Sequence, residues 1–425
     1  MSFITTARRG TPLFIVFFVW AMGTGSMQLA RPLFAASFGV SVFFVALVSA
    51  SNALARLVAA PITGFLTDRF GRRPLIILGV FLRGATAFGS YYATNYETFL
   101  VLEFIGGIGI SVFNTGSTII IADISGEGNR GRAVALRSMS SRLGTVSGPF
   151  VGGIIAAMFD LRSIFLFNGL SKLFTLLLIL FMIRETRPEA ATAGRQVEQQ
   201  VGRQADDASL GFRIFLTKKF MAVILATLTI SMAGGGGAFG ALFPLHAQAV
   251  AGLSTSDVAN MISLAGLVAL LVTFPNGVLV DKLGRKATLV PALFLLGVGC
   301  YQLALINNSL TVLLAVVTIG IAEGASMGTS QVYSMDLAPE GRRGAFIGIW
   351  SLFQNGGGLL APLMVGLIAE TFGFVAAFTT IAVCLAASAA FLWIFGPETG
   401  GRQRAAEPPP VGQGLVPRQP SQDDH

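Results

Sequence analysis

The sequence predicts an all-α integral membrane protein of twelve transmembrane helices, arranged as two pseudo-symmetric six-helix bundles. Three observations carry that expectation. The first is composition: 53% of the 425 residues are hydrophobic, 12% are charged and mean hydropathy is +0.72. A soluble domain carries about 25% charged residues, and a soluble body of this length must show water much polar surface. An ordinary soluble enzyme, a coiled coil and a disordered chain are therefore excluded. Glycine, at 51 residues, is also enriched, as it is in membrane helices. The second observation is a series of apolar runs long enough to cross a ~30 Å hydrocarbon core, which takes about 20 residues per helix. The third is an internal duplication at one fixed offset.

In chain order, apolar runs fall at 13–36, 42–66, 74–95, 98–122, 132–158 and 163–183. None alternates with the period of two that marks a barrel strand, so each reads as a helix. The first run follows Arg8 and Arg9 but is too long for a signal-peptide core and lacks a small-residue cleavage site, so it reads as a retained span. Residues 1–183 thus form an N-terminal six-helix bundle. The polar stretch 184–219, rich in Gln, Ala and mixed charge, reads as a linker. Six further runs, at 220–248, 255–280, 287–306, 309–335, 345–369 and 373–396, form a C-terminal bundle over 220–396. The tail, 397–425, carries Pro408, Pro409 and Pro410 without apolar periodicity and reads as disordered.

Charge placement sets the expected orientation. With the N-terminus inside, 22 of the 29 Lys and Arg residues fall on the tails, the linker and the even-numbered loops, against Arg162 alone on the odd loops. The positive-inside rule then places both termini in the cytoplasm, as a multi-pass protein of the inner cell membrane. The net charge of +8 is thereby explained without a nucleic-acid partner. Two cysteines in apolar runs and two histidines offer no disulfide framework and no metal centre.

The duplication is read at an offset of 213 residues. Gly64, Asp68, Arg69, Gly71, Arg72 and Arg73 recur as Gly277, Asp281, Lys282, Gly284, Arg285 and Lys286. Asp123, Glu127, Arg130 and Gly131 recur as Asp336, Glu340, Arg343 and Gly344; Gly144 and Pro149 as Gly357 and Pro362; Glu185 and Thr186 as Glu398 and Thr399. Two halves of six spans with the same orientation imply a pseudo-two-fold axis along the membrane normal.

These residues resemble the major facilitator superfamily, and most closely its twelve-span drug/proton antiporters. The G-x-x-x-D-R-x-G-R-R loop is that family's signature, and it occurs in both halves. By resemblance, Gly64, Asp68, Arg69, Gly71, Arg72, Arg73, Asp123 and Arg130, with Asp281, Arg285, Asp336 and Arg343 in the second half, form a cytoplasmic latch that holds an outward-open state. Asp123 is expected to pair with one of the loop arginines, and Gly64 and Gly71 to allow close helix approach and a tight turn. The alternative for the arginines is topology alone. Gly144, Gly148, Pro149, Gly152 and Gly153 resemble the antiporter motif G-x-x-x-G-P-x-x-G-G, whose longer form has a further glycine where this chain has Ala135. The second half keeps only Gly357 and Pro362 of it. Small residues four apart also serve plain helix packing.

Inside the spans lie Arg31, Arg56, Arg83, Glu103, Arg137, Arg142 and Lys172 in the first half, but only Glu323 and His246 in the second. Ionisable groups at membrane depth are costly and mark function by default. Glu103 stands where the family's span-4 motif has arginine. Glu103 and Glu323 are the proton-coupling candidates, and depth along the helices makes a Glu103–Arg142 pair feasible. Arg137 and Lys172 read as peripheral. Arg31, Asn52, Arg56, Arg83 and Arg142, with Gln331, Gln354 and Asn355, are the candidates for a central cavity with a cationic N-terminal wall and an apolar C-terminal wall. The alternative is that the arginines only tie helices together. Gly234, Gly235, Gly236 and Gly237 weaken span 7. His246 reads as structural.

The function this implies is secondary active transport: proton-coupled efflux of drugs or other hydrophobic or amphiphilic small molecules by alternating access. No nucleotide-binding loop is present, so no cofactor is expected and the proton gradient supplies the energy. The partners are a small-molecule substrate, protons and the bilayer, and the unit is a monomer. The rivals are an importer of organic anions, a flippase of anionic or lyso-lipids, a non-transporting sensor and, last, an enzyme.

Overall fold

The computed structural model describes residues 2–124, 130–182, 217–338 and 343–399. The expected linker and tail lie, but for their few residues at 217–219 and 397–399, outside that set. Every regular element among the described residues is a helix: α1 (Ser2–Ala36), α2 (Val42–Phe70), α3 (Arg72–Tyr91), α4 (Tyr96–Ile124), α5 (Arg130–Met158), α6 (Ser163–Met182), α7 (Lys218–Ala233), α8 (Ala238–Ala251), α9 (Thr255–Leu283), α10 (Arg285–Ala304), α11 (Ser309–Asp336) and α12 (Arg343–Phe395).

Two of these boundaries depart from one helix per run. The run 220–248 is split into α7 and α8 at the four glycines, where Gly234 caps α7 in an extended conformation and α8 starts only at Ala238. The runs 345–369 and 373–396 are joined in α12, interrupted at Gly373, whose φ of 86° is open to glycine. At 1.5 Å per residue, the 46-residue segment Trp350–Phe395 would span about 69 Å, more than twice the hydrocarbon core. It therefore crosses, turns at Gly373 and returns. α7 with α8 makes one span and α12 makes two, which restores twelve.

The two halves repeat each other in local chemistry as well as in order. Gly71 and Gly284, 213 residues apart, take the same turn (φ 90°, ψ 168° and φ 103°, ψ 164°) between α2 and α3 and between α9 and α10. Asn95 and Asn308, at the same offset, each accept through Oδ1 a 2.9 Å hydrogen bond from the backbone N–H three residues on, closing the N-termini of α4 and α11. α1 packs on α5 as α7 packs on α12, and α3 on α4 as α10 on α11.

One end of the bundle gathers Arg72, Arg73, Lys218, Lys219, Lys282, Arg285 and Lys286, and we call it the basic face. The halves meet through α2 with α12, α5 with α9, and α1 with α8, and their closest contacts lie toward the opposite, far face. There the N–H of Phe43 donates to Glu370 Oε2 at 2.8 Å, and Ser256 Oγ donates to the carbonyl of Gly153 at 3.3 Å. A Cβ on Gly366 would stand 2.6 Å from Ala46, and one on Gly153 would stand 2.5 Å from Ala259. At the basic ends of α2 and α9, a Cβ on Gly64 or Gly277 meets nothing within 4 Å. The bundle is closed at the far face and parted at the basic face. The close approach expected at Gly64 is thus absent in this conformation, whereas the turn at Gly71 is present.

Candidate functional site

Between the halves lies a cavity of about 490 Å³, within the usual span of small-molecule sites. Its two walls differ in kind. The N-terminal wall presents Thr24, Gln28, Arg31, Asn52, Arg56, Ser141, Arg142 and Thr145. The C-terminal wall is Phe239, Ile262, Ala265, Ala269, Leu270 and Met327, with Glu323 as its one charge among the lining residues. The cationic and apolar walls read from the sequence therefore face each other here.

Broken backbone forms part of the C-terminal wall. Gly235 and Gly236 line the cavity between α7 and α8. A Cβ on Gly234 would sit 3.3 Å from Glu323 Oε1, and one on Gly235 would sit 3.3 Å from Gln28 Nε2. Irregular backbone at membrane depth is tolerated where it lines a cavity.

Behind the cationic wall is a buried ion network. Glu103 on α4 is fully enclosed. It accepts from Arg31 Nε at 2.9 Å, from Arg83 Nη1 at 3.1 Å and from Asn52 Nδ2 at 3.2 Å, and Asn52 also holds the Glu103 carbonyl at 2.9 Å. The expected Glu103–Arg142 pair is replaced by these contacts, because α1 and α3 bring their arginines to α4 first. Arg142 instead lines the cavity with Glu323. Arg83 is completely buried and does not reach the cavity; its partner is Glu103.

Other expected positions are corrected. Lys172 is fully buried, not peripheral. Its Nζ donates to the Trp20 carbonyl at 2.6 Å and to Thr24 Oγ1 at 2.9 Å, and it lies 4.3 Å from the Trp20 ring centroid. Arg137 stays only half-buried; it donates to Thr118 Oγ1 at 2.7 Å and lies over the Phe17 ring. Gln331 and Asn355 are exposed and do not line the cavity. Gln354 lines a smaller void of about 80 Å³ beside it, which shares Gly235, Gly236 and Met327. Every charged lining residue was already a candidate in the sequence, but Gln28, Ser141, Thr145 and Phe239 carried no separable signal there: each is an ordinary helix residue until α1, α5 and α8 are placed side by side.

The four motif glycines of α5 sit at its crossing with α1 and α9. A Cβ on Gly144 would fall 2.8 Å from Ala21 Cβ and against the Phe18 carbonyl, and one on Gly148 would fall 2.7 Å from the Ser26 nitrogen. Gly152 adjoins Ser26, Gly153 adjoins the other half at Ala259, and Pro149 sits within the helix. In the second half a Cβ on Gly357 would fall 2.6 Å from Ser231 Cβ, which repeats the crossing.

Among the loop residues, Arg285 Nε pairs with Asp336 Oδ2 at 2.9 Å, and Arg285 Nη1 pairs with Asp281 at 3.3 Å. Glu398 accepts from the N–H groups of Lys286 and Ala287, and Arg285 N–H donates to the Thr399 carbonyl. Arg73 donates to the carbonyl of Leu180. The side chains of Asp68, Arg69, Asp123, Arg130 and Arg343 lie outside the described residues. His246 Nε2 bonds the Leu303 carbonyl at 2.9 Å between Phe374 and Phe378, a packed structural setting.

Comparison with known proteins agrees with this architecture. The chain is 25% identical over 387 residues to the multi-drug resistance efflux pump PmrA of Streptococcus pneumoniae, covering 89% of each chain. It is 25% identical over 389 residues to multidrug resistance protein 1 of Bacillus subtilis, covering 90% of this chain and 94% of that one. The fold superposes on the D-xylose–proton symporter with a TM-score of 0.75 at 18% identity, covering 92% of this chain and 98% of that one. It superposes equally well, at 17% identity, on a bacterial homologue of the human lysosomal transporter Spinster in an inward-facing, occupied conformation, covering 92% and 96%. The model of the Major Facilitator Superfamily matches residues 13–272 and 225–420, and the chain belongs to that family of membrane transporters.

Proposed function

We propose that this transporter is a proton-coupled antiporter that exports hydrophobic or amphiphilic small molecules. The observation that carries the reading is the cavity itself. It is shut at the far face, lies beside a broken span, and holds Glu323 opposite Arg142. The similarity to the efflux pump PmrA supports the same direction of transport. With both termini cytoplasmic, the basic face is the inner one and the conformation is inward-facing.

Glu323 is the proton carrier in this reading. Its carboxylate faces the cavity and makes no hydrogen bond or ion pair among the described residues. Glu103 is committed to Arg31 and Arg83, so its part is to hold the cationic wall in place. Substrate enters from the cytoplasm, the halves rock about the cavity, and a proton taken up on Glu323 from outside accompanies the return. The loop charges, including Asp68 and Asp123 with Arg72, Arg73 and Arg130, act as the latch once the basic face closes. Gly64 then supplies the close approach that the open basic face leaves unused. The unit acts as a monomer in the inner membrane.

The test is everted membrane vesicles with an acidified lumen, given a panel of lipophilic drugs. At least one compound is expected to release protons in exchange for its own accumulation, and Glu323→Gln is expected to abolish the exchange. Substrate movement with no proton flux would overturn antiport. Movement out of the lumen together with protons would favour the second reading, an importer of organic anions, which the arginine-lined wall also suits.

A further inference from the structure

We infer that the cavity selects amphiphilic anions: a carboxylate or similar acid head on Arg56 and Arg142, with the apolar body against Phe239, Ile262, Leu270 and Met327. The inference deepens the proposed function, since it names the substrate class of the same cavity. It rests on how the charges are shared out. Four arginines, Arg31, Arg56, Arg83 and Arg142, stand in or directly behind one wall, against two carboxylates, Glu103 and Glu323. Glu103 is consumed, because both of its oxygens are taken by Arg31, Arg83 and Asn52.

Arg56 and Arg142 are left over. Neither guanidinium makes an ion pair or hydrogen bond among the described residues, and Arg56 Nε is shut off from solvent with no partner. A buried guanidinium with unmet donors is costly until an acceptor arrives. A carboxylate meets it in the planar, two-point geometry that arginine presents. Glu323 offsets one positive charge across the cavity, and one acid group offsets a second, which still leaves the arginine side with an excess positive charge that favours an anion. A cationic ligand in the same place would face Arg56 and Arg142 at short range in a low-dielectric setting, where like charges repel strongly. Apart from Glu323 and the broken backbone at Gly235 and Gly236, the opposite wall offers aromatic, aliphatic and thioether surface, which suits a ring or chain carrying that head.

Three probes with one ring system separate the classes: 2-naphthoate, 2-naphthamide and 2-naphthylmethylammonium. Binding is measured by calorimetry on the full chain in lipid nanodiscs. The expected result is saturable 2-naphthoate binding, at least tenfold tighter than the amide or the ammonium ion. Arg56→Gln and Arg142→Gln should each weaken 2-naphthoate at least tenfold and leave the amide unchanged, with Arg56→Lys recovering part of the loss. Equal or tighter binding of the ammonium ion, no saturable 2-naphthoate binding, or unchanged affinity in both Gln variants would overturn the inference. The comparison of the three probes on the unaltered chain needs no variant to fold. Binding here requires no proton flux, so failure of antiport in vesicles and failure of anion selectivity are separate results.

Discussion

Glu103 and Glu323 are both carboxylates at membrane depth, yet their surroundings give them different work. Glu103 ties α1, α2, α3 and α4 together through Arg31, Asn52 and Arg83. Removing one member of a buried pair leaves an uncompensated charge, at a cost of about 3–5 kcal/mol. Glu103→Ala should therefore lower the thermal unfolding midpoint in detergent strongly and cut the yield of folded protein. Glu323→Gln should melt within a few degrees of the unaltered chain while losing proton exchange. A Glu103→Ala protein that melts like the parent would refute the tie. Both residues could be singled out in the sequence as rare charges in apolar runs. Which of them pairs with which arginine could not be read there, because depth along a helix says nothing about rotation around it.

Helix-scale behaviour turns on glycine. Gly144 and Gly148 lie where α5 crosses α1 with backbone rather than flexible side chains in the way, so added volume has no room to relax. Gly148→Val should cost at least about 1–3 kcal/mol, seen as loss of monodisperse protein on size-exclusion chromatography and a lower melting midpoint; a fully stable Gly148→Val would contradict the crossing. The spacing of these glycines was visible in sequence, and so was the weakness of span 7. The complete break into α7 and α8 was less so, since helix propensity alone prices four glycines at about 1 kcal/mol each, and it takes the adjoining cavity to spare the broken backbone from lipid. The clasp between Glu370 and the N-terminus of α2 carried no sequence signal, because its partners lie 327 residues apart. Glu370→Gln weakens a charge-assisted hydrogen bond and should shift the resting population toward the outward-open form. Increased labelling of a cysteine placed at Ala46 by a membrane-impermeant maleimide from outside would report this; unchanged labelling would count against the clasp.

For the molecule as a whole, the duplication was the most legible feature, because the 213-residue offset is written in residue identities and then reappears as matching turns at Gly71 and Gly284. The conformational state was not legible, since one sequence serves both open faces. Export of an anion with entry of a proton carries positive charge inward twice, so an inside-negative potential should accelerate it. Uptake by everted vesicles with a clamped potential, inside-negative in the cellular sense, should exceed uptake at zero potential; equal rates would point to an electroneutral exchange. The central claim is that the halves must part at the far face for transport to occur. Phe43 and Glu370 meet there across the two halves, so the double variant Phe43→Cys, Glu370→Cys can be bridged by a short, reducible bis-methanethiosulfonate reagent to lock that face. The cross-linked protein should stop transporting and recover on reduction, whereas undiminished transport by fully cross-linked protein would rule out alternating access through this cavity.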